Sequence, residues 1–256
     1  YNFRMAKPIL VANWKNYPSS LSEAQTLLKN LAKKRELYKK VSLFIAPPFP
    51  YFESVYTKGK NFGQLASQDI SNLPKGTYTG DITPEILKSF GVKLSIIGHS
   101  ERRALGERSR DVAEKIKVAL KSGIAPLVCF GEKERDVDGE HFEFLRQNMR
   151  QFLLGLSKNE VSKIALAYEP VWAIDKSSKD AIDSRELAQT IIFIRKILSD
   201  LFSRKVAEQV PILYGGSVEP GNAMKLMETG IRGFLVGHAS LNAKSFEAIA
   251  REITSK

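Results

Sequence analysis

The 256-residue chain has one cysteine, Cys129, and three histidines. A single cysteine excludes an internal disulfide framework, and a reducing, cytoplasmic location is expected. His99, His141 and His238 fall far apart on different elements, so no metal-ligand spacing is present and no metal is expected. No apolar run approaches the roughly 20 residues that cross a bilayer, and the opening YNFRMAKPILVANWK has no signal-peptide core. A membrane partner is therefore not expected. Residues 1–4 precede Met5, which reads as the natural start. Linkers and low-complexity tracts are also missing, which points to one domain over 1–256. Acidic residues are the last shortage. Lys and Arg number 39 against 28 Asp and Glu, a net charge of +11. Such a surplus draws nucleic acid, anionic membrane or small anions. Its densest clusters, AKKRELYKK (32–40) and ERR (101–103), lack the aromatic ladder of single-strand binders. The first reads as a solvated helix end, no nucleic-acid partner is expected, and the charge is kept as a steering field for an anion.

What the chain has is a repeating alternation. Short apolar segments recur as PILVANW (8–14), VSLFIAPP (41–48), GQLASQ (63–68), KLSIIGH (93–99), APLVCFGE (125–132), KIALAYEP (163–170), PILYGG (211–216) and GFLVGH (233–238). Continuous apolar runs of that length read as strands buried on both faces, hence a parallel sheet. Amphipathic stretches lie between them. Residues 20–34 space Leu21, Ala24, Leu27, Leu28 and Leu31 as a helix does; 109–122 repeats the pattern, with Ser109 as its expected N-cap; 184–201 is a third. The helix over 223–230 is expected to stop at Gly230. Strand–helix alternation forces parallel strands with right-handed crossovers, and eight units in this length match a closed (β/α)8 barrel of the α/β class. An open doubly wound sheet usually carries a glycine-rich turn after its first strand. Here that strand ends in ANWKNYP, with no glycine.

Barrel active sites lie where strands end. Those ends supply Asn13 and Lys15, then His99, Ser100 and Glu101, then Glu169, then GGS (215–217) and VGHAS (236–240). Each has a plain structural alternative. Lys15 could be a surface charge, His99 a core histidine, Glu169 a salt-bridged glutamate and GGS an ordinary turn. The functional reading has more to recommend it when they are taken together. A helix start behind His99 disfavours imidazolium, leaving a neutral ring that can donate to a carbonyl oxygen. Glu169 ends an apolar strand before Pro170, where desolvation pushes a carboxyl toward the range of a general base. Gly215, Gly216 and Ser217 offer backbone N–H groups to a phosphate. A base, a neutral electrophile, a fixed cation and a phosphate cradle suit proton abstraction beside a carbonyl of a small phosphorylated substrate.

ANWK (12–15), IIGHSERR (96–103), AYEPVWAI (167–174), ILYGGSV (212–218) and LVGHASL (235–241) together resemble the triosephosphate isomerase family, in its order and over the chain from Lys7 onward. The resemblance implies a single TIM barrel that interconverts dihydroxyacetone phosphate and glyceraldehyde 3-phosphate through an enediolate, in glycolysis and gluconeogenesis, without cofactor. It implies Glu169 as base and His99 as electrophile, with Asn13 and Lys15 binding substrate and stabilising charge. Gly216, Ser217, Gly237 and His238 would hold the phosphate, joined by Ser177 from a lid, and Glu101 and Ser100 would support Lys15 and His99. It also implies a homodimer, in which the third βα loop, QDISNLPKGTYTGD (68–81), reaches the partner with Thr79 and Gly80 at its tip.

Three departures stand out. The lid after Pro170, Val171 and Trp172 reads DKSSKDAI, without a glycine at its tip, so the N–H that meets the phosphate must come from near Ser177 or Ser178. The eighth loop has His238 where the family commonly has a second glycine. The turn after IIGHSERR, ALGE, is one residue short. Two competing readings are a barrel isomerase for another phosphorylated sugar and a non-catalytic barrel that binds nucleic acid or protein. The presence of Glu169, His99 and Lys15 weighs against the second.

Overall fold

The computed structural model describes residues 7–73, 75–136, 138–174 and 182–255. Eight parallel strands close into a barrel in sequence order: β1 (Ile9–Asn13), β2 (Ser42–Ala46), β3 (Gln64–Ser67), β4 (Leu94–Ile97), β5 (Ala125–Phe130), β6 (Ala165–Tyr168), β7 (Ile212–Tyr214) and β8 (Gly233–Val236). β1 pairs with both β2 and β8, which closes the ring. Each of the eight apolar segments contains one strand.

The strands are apolar throughout because both faces are covered. Ile9, Val11, Phe44, Ala66, Leu94, Ile96, Leu127, Ala167, Leu213 and Leu235 fill the interior as one cluster. Leu10, Ala12, Leu43, Ile45, Ile97, Val128, Leu166 and Ile212 face outward, under the helices. This period-two split of each strand gives a packed core inside the ring and a second core around it.

Three helices lie where the spacing puts them, Leu21–Ala32, Ser109–Ser122 and Ser184–Leu201, and the structure adds another, Ala243–Thr254. Two ends differ from expectation. Ser109 is the first helical residue, not the cap; Arg108 precedes it and its N–H donates to the Asp111 carboxylate at 2.9 Å. A carboxylate reaching back from the third helical position satisfies the end that a serine hydroxyl would have served. The Ser109 hydroxyl instead accepts from Arg103 Nη1 and Asn148 Nδ2. The helix from Ala223 ends at Met227, and Gly230, with φ 91°, turns the chain three residues later.

Candidate active site

Strand alternation decides which side chains reach the mouth. Ile9 and Val11 point inward, so Asn13 and Lys15 continue the inward row of β1. By the same count Glu169 follows Ala165 and Ala167, Gly215 follows Leu213, and Gly237 follows Leu235. β4 is the exception. Leu94 and Ile96 point inward, so strict alternation would send His99 outward. Gly98 breaks the count with a left-handed φ of 76°, and His99 lines the mouth. A side chain at Gly98 would be strained there, and its Cβ would lie 2.9 Å from Val112 Cγ2.

Lys15 carries a left-handed φ of 51°, a conformation costing a non-glycine residue about 1 kcal/mol. Neighbours on both sides hold it. Asn13 Oδ1 accepts from the Lys15 N–H at 3.0 Å, and Gln68 Nε2 donates to the Lys15 carbonyl at 2.6 Å. Its Nζ meets Glu101 Oε1 at 2.9 Å. The cation is thus aimed by the backbone and countered by a carboxylate that is itself largely exposed.

His99 caps the short helix Ser100–Ala104. The Glu101 N–H donates to His99 Nδ1 at 3.3 Å. An amide can only donate, so Nδ1 is the accepting nitrogen in this contact. The Glu101 carboxylate approaches the same nitrogen at 3.6 Å, but it is turned to Lys15. Nε2 faces Glu169 Oε1 at 3.5 Å. The helix start expected behind His99 is present, and it turns one backbone N–H onto the ring.

Glu169 is 1% exposed. Its N–H donates to the Phe130 carbonyl at 2.8 Å, fixing it between β5 and β6. Its Oε2 accepts the Ser100 N–H at 3.1 Å. Two glycines make room for it. A Cβ on Gly131 would collide with its carbonyl oxygen, and one on Gly215 would fall 2.7 Å from its Cγ. Cys129 forms the floor beneath. Burial first, then the charge and hydrogen bond of Glu169, push that thiol well up, so the wall stays neutral.

A cavity of about 550 Å³ opens beside this group, lined by Asn13, Lys15, His99, Gly216, Ser217 and His238 among others. Glu169 does not line it, because its carboxylate is turned onto Ser100. Gly215 does not offer its N–H to the cavity as the sequence reading has it. That N–H donates to the Tyr168 carbonyl at 2.9 Å as part of the ring, and the glycine is there for space. Ser217 Oγ donates to the Ala173 carbonyl at 3.0 Å, tying this loop to the segment after Glu169. Gly237 packs against Lys15, whose Cε would lie 3.1 Å from a Cβ there.

Pro170 leads into a tight 3₁₀ turn, Val171–Ala173. Trp172 Nε1 and Tyr168 Oη both donate to Glu132 Oε1, at 2.9 and 2.7 Å, so a buried carboxylate anchors the start of the expected lid. Ser177 and Ser178, expected in the lid, lie outside the described residues, as do residues 1–4 and Met5. The third loop is fastened at its root: Lys115 Nζ bonds Asp69 at 2.6 Å and Glu107 at 2.5 Å, and Arg102 meets Asp69 at 3.1 Å. Thr79 and Gly80 stand exposed at its end. Among the described residues, no group of three or more His, Cys, Asp or Glu could hold a metal ion, and no helix is long and apolar enough to cross a membrane.

A family model described as Triosephosphate isomerase matches residues 8–253. The chain belongs to the triosephosphate isomerase family. A protein named Triosephosphate isomerase from Geobacter metallireducens is 40% identical over 250 residues, covering 96% of this chain and 98% of that one. Proteins of the same name from Dehalococcoides mccartyi and Fusobacterium nucleatum are 39% and 37% identical, over 97% and 96% of this chain and 97% and 99% of theirs. The triosephosphate isomerase resemblance drawn from five motifs thus holds over nearly the whole chain. The sequence reading did not single out Gln68 or Gly131. A glycine directly after β5 was the only local sign of Gly131. Gln68 carries no sign at all, since its partner Lys15 is 53 residues away.

Proposed function

We propose that the chain interconverts dihydroxyacetone phosphate and glyceraldehyde 3-phosphate, with Glu169 moving the proton between adjacent carbons. The observation that carries this is the Glu169–His99 pair. A buried carboxyl lies 3.5 Å from His99 Nε2, the Nδ1 of that ring takes the Glu101 N–H, and beside them a cavity also holds Lys15. Rotation of the Glu169 side chain away from the Ser100 N–H, in the space left by Gly215, brings its carboxylate over the cavity. There it takes a proton from the carbon beside the carbonyl. His99 Nε2–H and Lys15 Nζ face the oxygen that gains charge, and they stabilise the enediolate without solvent having to reorganise. Asn13 orients Lys15 from below. Gly216, Ser217, Gly237 and His238 form the phosphate end of the same cavity.

Turnover of glyceraldehyde 3-phosphate in a coupled assay tests the assignment. The protein is expected to be active, and Glu169→Asp is expected to lower kcat/KM a hundredfold or more, since that change withdraws the carboxylate by about one ångström. A variant as active as the parent would remove Glu169 from the role of base.

The protein is read as a homodimer joined through residues 68–81. Phe49, Tyr78 and Ile86 are each about two-fifths exposed, and two neighbouring cavities sharing Asp81 include them. Apolar side chains grouped around a rigidly rooted loop suit a partner surface. Light scattering at micromolar concentration should give twice the chain mass, and Thr79→Arg should shift it toward the monomer. A monomeric parent protein would reject this reading.

A further inference from the structure

Gly98 permits the turn that brings His99 into the mouth, but a glycine does not hold one. Its φ of 76° is one conformation among the many open to a residue without a Cβ. The hold comes from Arg103, which the proton-transfer scheme leaves without a task. Its N–H donates to the His99 carbonyl at 3.0 Å, and its Nε donates to the Gly98 carbonyl at 3.4 Å. Its Nη1 donates at 3.3 Å to Ser109 Oγ, at the start of the helix Ser109–Ser122. Val112 of that helix closes on Gly98 as well. One residue thus grips two consecutive carbonyls, by backbone and by side chain, and ties them to a helix. We propose that Arg103 is a positioning residue for the proton-transfer reaction: it clamps the Gly98–His99 turn so that His99 Nε2 stays aimed at Glu169 and the cavity. The proposal rests on His99 acting as the electrophile.

A clamp explains this arginine better than packing does. Arg103 Nη2 is buried and has no hydrogen-bond partner among the described residues. A buried donor left unpaired costs stability, so an apolar side chain would serve packing better. The neighbouring Arg102 shows the ordinary use of the same side chain: it is half-exposed and meets Asp69 at 3.1 Å. Burial pulls the Arg103 guanidinium down from its ordinary value, and Glu107, Cys129, Asp111 and Glu169 oppose that. It therefore remains a cation, within electrostatic reach of the base. A lysine cannot replace it in kind, because one ammonium on a flexible stem does not span Gly98 and Ser109 as a planar fork does.

A double-mutant cycle with His99→Gln, read in steady-state kinetics of the full chain, tests this. Arg103→Met keeps an unbranched stem and removes every side-chain donor. In the parent background it should lower kcat about ten- to hundredfold, the cost of displacing a reacting group by roughly an ångström, while KM stays within about twofold. In the His99→Gln background the same substitution should lower kcat by about two- to threefold at most, because the group it positions is gone. Should Arg103→Met fail to fold, Arg103→Lys goes through the same cycle with a smaller expected loss and the same dependence on His99. Normal kcat in the folded variant, or an equal loss in both backgrounds, would overturn the proposal, since Arg103 would then not act through His99. A His99→Gln enzyme as active as the parent would instead reject the electrophile reading itself, so the two failures are distinct.

Discussion

At the scale of single residues, the site depends as much on missing side chains as on present ones. Gly215 illustrates this. Its φ is not left-handed, so an alanine would suit its backbone, yet the added Cβ would lie 2.7 Å from Glu169 Cγ. In the proposed scheme, the space it leaves is the space in which Glu169 turns. Gly215→Ala is accordingly expected to fold with little loss of stability while kcat falls at least tenfold. Thermal unfolding and steady-state kinetics, measured side by side, separate these effects. A destabilised protein with normal kcat would show that the glycine serves packing and not the motion of Glu169. Lys15 makes the complementary case. A lysine held at φ 51° by Asn13 and Gln68 is strain retained because it aims a charge.

At the scale of elements, the helix Glu140–Phe152 is started by a carboxylate ahead of it. Asp136 accepts from the Glu140 and His141 N–H groups at 2.8 and 2.7 Å and contacts His141 Nδ1 at 2.9 Å. Burial alone would push its carboxyl up, but these hydrogen bonds outweigh burial and hold it far below the usual carboxylate range. The sign of the linkage follows. A carboxyl depressed in the folded state stabilises above its unfolded pKa, near 3.9, and that contribution is lost as pH falls toward the folded value. Asp136→Asn should therefore lower the urea midpoint at pH 5, and the gap from the parent should narrow below about pH 4. A gap that stays constant to pH 3 would mean that the charge is not what stabilises.

Elements are also where the sequence proved most and least legible. All eight strands could be read because each is apolar on both faces, a pattern that needs no distant partner to recognise. The ends of helices could not be read as well. Ser109 is the residue type expected at a cap, but Asp111 reaching back to Arg108 satisfies the end first. Asn13, Lys15, His99 and Glu169 were legible because chemistry in a barrel collects at strand ends. Gln68 and Glu132 were not, because each earns its place through a partner 40 or more residues away. The inward turn of His99 was hidden as well, since alternation alone sends it outward until Gly98 reverses the count.

At the scale of the whole molecule, the net charge of +11 and the anionic substrate act on each other before contact. Lys15, the cation at the centre of the mouth, is already paired with Glu101, so the close-range field is partly cancelled. The surplus is spread over the surface, and a spread surplus acts at long range, where ionic strength matters most. The expected consequence is a rate effect. kcat/KM for glyceraldehyde 3-phosphate should fall severalfold as monovalent salt rises from about 0.01 to 0.15 M, while the Debye length shrinks from roughly 30 to 8 Å. kcat should hold nearly steady, because the chemical step occurs in a desolvated site. Unphosphorylated glyceraldehyde supplies the control: it has no charge to steer, so its kcat/KM should be flat in salt. Equal salt slopes for the two substrates would show that salt acts on the protein and that the surplus charge does not guide the phosphate in.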